Sequence, residues 1–405
     1  MKYFFVLGTN AALSVAELGA VLDLQDPQLL AADFLVAESA QEIQADSLIK
    51  RLGGIIKIGL IQAEIKSGND VELFEVIKKI AEDKRRRRGQ RDQIGDRSEE
   101  NSGKFNFGLS DYGPANFNKK DLGLRLKKYF SEAKVSARFV ISREKNLSSV
   151  VLTQNKLLTR GLEIVLTTDG GNTLVGETLA VQPFKDLSLR DYGRPARDDL
   201  SGMLPPKLAQ IMINLAQVTE EAVIIDPFCG SGTVLSEAAF LGYKNLFGSD
   251  SSLKAIEDTR KNLSWLKELY KIKEFKCKLF VKRAEYLSKF IKGGSIDAVI
   301  TEPYLGPQRG RLEFKAVIKN LEDLYSSVIK EFGLILKPQG RVVMIWPLYY
   351  GERPITPDYY GFKILNMIPS ELQDNKFVKK NNRATIIYGR PGQKVYREVV
   401  VLEKI

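Results

Sequence analysis

Residues Val223–Phe240 read VIIDPFCGSGTVLSEAAF, and the interpretation of this stretch decides the fold. Val223, Ile224 and Ile225 are β-branched and predict a short buried strand. Pro227 and Gly230 break the ladder, and Val234–Leu241 suits a helix, so the unit is strand, loop, helix. Glycines at such a junction let backbone N–H groups approach a ligand where a Cβ would clash. A dinucleotide loop, G-x-G-x-x-G, would place its third glycine where Leu235 stands. The stretch also lacks the lysine of a phosphate-binding P-loop.

Two later segments extend this reading. NLFGSD predicts a second strand ending in Asp250, whose carboxylate can accept two ribose hydroxyls or cap a helix starting near Leu253. IDAVITEPYLG predicts a strand over Ile296–Ile300 followed by an acid, a proline and an aromatic. DPFCGSGT resembles motif I of class I S-adenosylmethionine (AdoMet)-dependent methyltransferases, above all those that modify exocyclic amines of nucleic-acid bases. TEPYLG resembles their motif IV, usually Asp/Asn/Ser-Pro-Pro-aromatic. The resemblance implies AdoMet as cofactor, held by Asp226, Phe228, Gly230, Gly232, Thr233, Asp250, Ser251, Ala284 and Glu285. It implies catalysis by Glu302, Pro303 and Tyr304. The acid and the proline carbonyl would accept the amine hydrogens and aim its lone pair, while the aromatic stacks on the base. Two departures stand out. An ungapped alignment puts Leu305 rather than Tyr304 at the aromatic position, and Arg283 replaces the usual acid of motif III, with Glu285 two places on.

Composition narrows the alternatives. The chain has 405 residues, a formal net charge of +11 and a 44% hydrophobic share, which predict two or three globular domains and an anionic partner. It has no histidine, which disfavours zinc deaminases, metallohydrolases and Ser-His-Asp hydrolases. No metal site is expected. Two cysteines give no disulfide framework and fit a reducing, cytoplasmic setting. Neither a membrane-spanning run nor a signal peptide is read in the sequence, so no membrane partner is expected.

The segments before residue 200 read as α/β structure. Residues 1–65 suggest a small ferredoxin-like unit, with a helix begun by the capping-box pair Ser14 and Glu17. Arg85 to Arg88 read as a solvated loop or, less favoured, an RNA-backbone clamp. KFNFGLSDYG and SSVVLTQNKLL read as strands flanking the helix LGLRLKKYFSEA. That helix would bury Leu122, Leu126 and Phe130 and present Arg125, Lys127 and Lys128. ARFVISREKNLSSVVLTQ through LAVQPF resembles the end of a THUMP domain, an RNA-binding module. RPARDDLSGMLPPKLAQIMINLA closely resembles the linker of THUMP-containing tRNA guanine-N2 methyltransferases, which act on the guanine at position ten.

That resemblance, over nearly the whole chain, implies a unit at 1–65, a THUMP-like domain at 66–184, a linker at 185–200 and a methyltransferase domain at 201–405. Residues 201–207 would form a lid. The overall class is α/β, with a class I (Rossmann-like) domain closed by an antiparallel hairpin around GRPGQ. tRNA is the implied partner, with Arg125, Lys127, Lys128, Arg143 and Lys156 as RNA contacts. A small activator subunit and the oligomeric state are left open. The competing functions are a DNA adenine-N6 or cytosine-N4 methyltransferase and a non-catalytic RNA-binding protein that keeps the fold.

Overall fold

The computed structural model describes residues 1–94, 104–113, 117–197, 203–272, 274–307, 314–379 and 381–405, with side chains 88–94 excluded. The chain divides into two compact units. The first comprises Met1–Ala11, Asp23–Lys50 and Ile55–Phe184; the second comprises Ala12–Leu22, Arg51–Gly54 and Lys185–Ile405.

The first unit is built on one eight-stranded sheet. Its strands are β1 (Lys2–Leu7), β2 (Gln25–Ala31), β3 (Phe34–Glu38), β4 (Ile55–Lys66), β5 (Phe105–Asp111), β6 (Ala137–Val140), β7 (Gly161–Thr168) and β8 (Asn172–Val181). Their order is β2-β3-β1-β4-β8-β7-β5-β6, so a single sheet runs through the segments expected as 1–65 and 66–184. β5 pairs in parallel with β6 and β7, and the other neighbours are antiparallel. Helix α1 (Ala11–Val21) belongs almost wholly to the second unit; of α2 (Ala45–Arg51), α3 (Asp70–Ile94), α4 (Lys119–Glu132) and α5 (Ser149–Gln154), α3 and α4 cover one face of the sheet. Leu73 and Ile77 of α3 pack with Leu122, Leu126 and Phe130 of α4 onto Phe107 and Ile164.

Three expectations fail in this region. Residues 149–154 form α5 and not a strand, because the Ser148 hydroxyl accepts a bond from Val151 N at 3.4 Å and caps a helix despite the valines. α3 continues to Ile94, so Arg85, Arg86 and Arg87 are exposed on a helix and not in a loop, while the side chain of Arg88 lies outside the described residues. Ser14 and Glu17 are interior to α1 and buried, so they form no capping box. Glu17 instead accepts bonds from Gly53 N (2.9 Å), Gly54 N (2.7 Å) and Asn214 Nδ2 (2.8 Å), all within the second unit. Ser14 Oγ donates to Gly54 O at 2.8 Å.

The second unit is a doubly wound sheet. Its strands are β9 (Val223–Asp226), β10 (Asn245–Asp250), β11 (Lys276–Val281), β12 (Ile296–Thr301), β13 (Leu336–Tyr349), β14 (Arg353–Pro354), β15 (Phe362–Ile364), β16 (Ile386–Tyr388) and β17 (Val395–Lys404). The main path is β11-β10-β9-β12-β13-β17-β15, with the first five strands parallel and β17 antiparallel to both of its neighbours. The helices are α6 (Phe184–Tyr192), α7 (Pro206–Leu215), α8 (Thr233–Phe240), α9 (Leu253–Tyr270) and α10 (Phe314–Ile335). α8, α9 and α10 make the crossovers between parallel strands. β16 and β17 form the expected hairpin, but β17 also inserts between β13 and β15. A parallel α/β sheet gathers ligands outside the carboxyl ends of its strands, where the order reverses, here beside β9.

Candidate active site

The chain turns sharply after β9. Gly230 and Gly232 adopt φ of +52° and +83°, and a Cβ on Gly230 would meet no atom within 4 Å. Gly230 is therefore bare backbone facing open space, which suits close approach of a ligand. Gly232 serves a different end. It does not line the cleft, and a Cβ there would come within 2.8 Å of Thr259. The loop is braced from behind: Thr259 Oγ1 donates to Gly230 O at 2.7 Å, and Asn262 Nδ2 donates to Ser231 O at 2.8 Å and to Ala196 O at 2.9 Å. Thr233 lines the cleft, with its hydroxyl accepting Arg194 Nη1 at 2.6 Å.

A cleft of about 980 Å³ opens at this point. Asp226, Phe228, Gly230, Thr233, Asp250, Ser251, Ala284, Glu285, Glu302, Pro303 and Tyr304 all line it, so eleven of the twelve residues named from motifs I to IV converge. Asp250 ends β10, where its Oδ2 accepts Gly230 N at 3.1 Å and its Oδ1 accepts Ser252 N at 2.9 Å. It is not the helix cap; Ser252 caps α9. A carboxylate has about four acceptor sites, so about half of its capacity remains for ribose hydroxyls. Burial pushes the carboxyl of Asp226 up to about 7, reinforced by the charges of Asp250 and Glu302 and opposed by bonds from Thr301 Oγ1 (2.6 Å) and Phe228 N (3.1 Å). Arg283 folds back on Glu285, its Nε 3.1 Å from Oε1. Ser201 and Gly202 of the expected lid lie outside the described residues, whereas Met203 and Leu204 form part of the wall.

The opposite wall follows β12. Glu302 is mostly buried and faces Arg397 of β17, whose Nε lies 2.5 Å from Oε1 and whose Nη2 lies 3.4 Å from Oε2. Tyr304 is 59% exposed, whereas Leu305 is buried, so Tyr304 presents a ring and Leu305 does not. The backbone of this loop is pinned by two phenols: Tyr325 donates to Tyr304 O at 3.3 Å, and Tyr349 donates to Leu305 O at 2.7 Å. Sequence reasoning missed Arg397. The available signal was Tyr396-Arg397-Glu398, three polar-tipped residues ahead of the apolar run Val399–Leu402.

Residues 194–349 match the family described as UPF0020: RMKL-like, methyltransferase domain. They carry a Rossmann-like methyltransferase domain. The tRNA (guanine(10)-N2)-dimethyltransferase of Methanocaldococcus jannaschii is 35% identical over 150 residues, 36% of this chain and 38% of that protein. The like-named protein of Pyrococcus abyssi is 28% identical over 176 residues, 44% and 46% of the two chains. The alignments thus span less than half the length of these relatives. TrmN from Thermus thermophilus matches over 100% of both chains with a TM-score of 0.54 at 17% identity, a likeness of fold.

The residues expected to meet RNA lie in the first unit, away from the methyltransferase domain in sequence. Arg125, Lys127 and Lys128 are on α4; Arg125 is 3.6 Å from Asp121 and lies 4.3 Å over the Phe74 ring, and Lys128 is 3.9 Å from Glu132. Arg143 and Lys156 are exposed on the loops after β6 and α5. No helix among the described residues is long and apolar enough to cross a membrane.

Proposed function

We propose that the protein is an AdoMet-dependent tRNA methyltransferase that modifies the exocyclic N2 amine of a guanine, with position ten as the candidate nucleotide. The observation that carries this reading is the placement of Glu302-Pro303-Tyr304 across one cleft from the Gly230 turn and Asp250. The open face at Gly230 and the spare acceptor capacity of Asp250 fit AdoMet, with Ser251, Ala284 and Glu285 beside them. Bound there, AdoMet supplies a methyl group activated by a sulfonium.

The chain's own residues supply position and polarity. Glu302 and the Pro303 carbonyl accept the amine hydrogens, which turns the nitrogen lone pair toward the methyl group. Tyr304 stacks on a base taken out of the helix and holds it in line. A THUMP-like first unit would grip tRNA by its shape and phosphates through residues such as Arg125, Lys127, Lys128, Arg143 and Lys156.

The deciding experiment incubates the full chain with methyl-labelled AdoMet and either tRNA or duplex DNA, then identifies the labelled nucleoside. N2-methylated guanosine in tRNA is the expected product. Label in adenine or cytosine of DNA, or in neither nucleic acid, would overturn the proposal.

A further inference from the structure

We propose that the Glu302–Arg397 pair selects the base, accepting guanine and rejecting adenine and cytosine, with Arg397 acting as a positioning residue. This rests on the function proposed above and adds to it the reason why guanine is the substrate.

The geometry comes first. Arg397 reaches Glu302 from β17, a strand 95 residues later in the chain, with one nitrogen toward each carboxylate oxygen at 2.5 and 3.4 Å. The side chains are only 12% and 17% exposed, so the pair is held by its surroundings and is not a surface contact. A guanidinium is always charged in a protein, and Glu302 as its partner is a carboxylate. A carboxylate only accepts hydrogen bonds. Arg397 uses one site on each oxygen, and the remaining sites lie on a residue that lines the cleft.

Two adjacent acceptors match two adjacent donors. Guanine presents N1–H beside its N2 amine. Adenine presents its N6 amine beside the bare N1, and cytosine its N4 amine beside the bare N3. Against either of these, the second oxygen of Glu302 meets a lone pair where it meets a hydrogen in guanine. The rejection is therefore built from repulsion as well as from a missing bond. A neutral acid, an amide or a hydroxyl at position 302 could offer a donor and lose the distinction. The cation of Arg397 fixes the rotation of the carboxylate, so that the second oxygen cannot swing away.

The test uses the full chain and tRNA transcripts in which the methylated guanosine, once mapped, is replaced by 2-aminopurine or 2,6-diaminopurine. Both analogues keep the 2-amine and lack N1–H. The expected result is a loss of about a hundredfold or more in kcat/KM relative to guanosine, because a site built for an N–H rejects a base without one. Glu302→Gln, whose amide carries one acceptor and one donor, should be slower overall yet narrow that gap to within about tenfold. Arg397→Lys should retain part of the discrimination, and Arg397→Met should lose it. The exchange of Glu302→Arg with Arg397→Glu restores an ion pair, and with it folding, but should transfer no methyl group; a purely structural pair would regain activity. Equal use of 2-aminopurine and guanosine by the unaltered protein would overturn the inference. So would wild-type discrimination in Glu302→Gln, or activity in the exchanged protein. Failure of the function itself would show earlier and separately, as no methylation of unsubstituted tRNA.

Discussion

Two ion pairs, one chosen from each unit, are held largely away from solvent and are finished differently. In the first unit, Lys57 and Glu163 are 1% and 0% exposed and 2.6 Å apart. Every charge there is answered. Lys57 Nζ also donates to Leu147 O at 2.7 Å, and Glu163 accepts Ser110 Oγ at 2.5 Å and Thr178 Oγ1 at 2.6 Å. In the second unit, the bonds to Glu302 among the described residues both come from Arg397, and Glu302 lines a cleft. A buried ion pair contributes little net stability unless its remaining hydrogen-bonding sites are filled, so the closed pair reads as architecture. The open pair keeps sites for a ligand. Completeness of hydrogen bonding, more than burial, separates these two pairs.

The comparison breaks most visibly at Lys57. Lys57→Met leaves Glu163 buried without its cation and should cost about 3–5 kcal/mol of stability, measured by chemical denaturation followed by circular dichroism. An unchanged denaturation midpoint would show the closed pair to be dispensable. Glu302→Ala should act on rate instead, lowering turnover about a hundredfold or more, roughly 2.7 kcal/mol of barrier, with AdoMet affinity retained. If AdoMet binding falls in parallel, Glu302 serves the cofactor and not the amine. Asp250→Ala should show the reverse pattern, weakening AdoMet by about 1.5–3 kcal/mol in calorimetry, the usual value of hydrogen bonds to a charged group. Unaltered affinity would remove Asp250 from the site.

A separate expectation concerns pH dependence. Asp226 carries a carboxyl pushed up to about 7 by burial, against about 3.9 in an unfolded chain. Between these values the folded protein holds a proton that the unfolded chain releases. The contribution of Asp226 is therefore fully present below about pH 4 and is lost as pH rises through about 7. Asp226→Asn should flatten this part of the Tm profile between pH 4 and 8. Glu17, also raised to about 7 by burial, leaves a slope of the same sign, so the measured quantity is the difference between variant and parent. Identical slopes in the two proteins would refute the assignment.

The second unit was the more legible in sequence. Its central strands β9 and β12 are β-branched and largely buried, and the strands predicted at Val223–Ile225, Asn245–Asp250 and Ile296–Ile300 fall on β9, β10 and β12. The cleft residues sit at strand ends, where motif and topology coincide. What stayed hidden depends on partners distant in sequence. Glu17 looked like a cap because Ser14 stands three residues before it, yet its ligands are the backbone of Gly53 and Gly54. Asp250 looked like a cap because its neighbour Ser252 does that work. Arg397 gave no local hint of Glu302. In the first unit, β-branched Val150 and Val151 suggested a strand, and one serine hydroxyl reversed that preference.

The position of β17 has a consequence for how the protein is made. β13 is synthesised well before the strand that covers its edge, and Glu302 precedes Arg397 by 95 residues. At translation rates of about 5–20 residues per second, that interval lasts roughly 5–20 s. Throughout it the nascent domain carries an acid without its cation, and in about its second half, once β13 is made, an uncapped apolar strand as well. An open edge of this kind pairs readily with other chains. The unfinished polypeptide should thus be at its most aggregation-prone just before β17 emerges, and chaperoning of the nascent chain should matter most in that window.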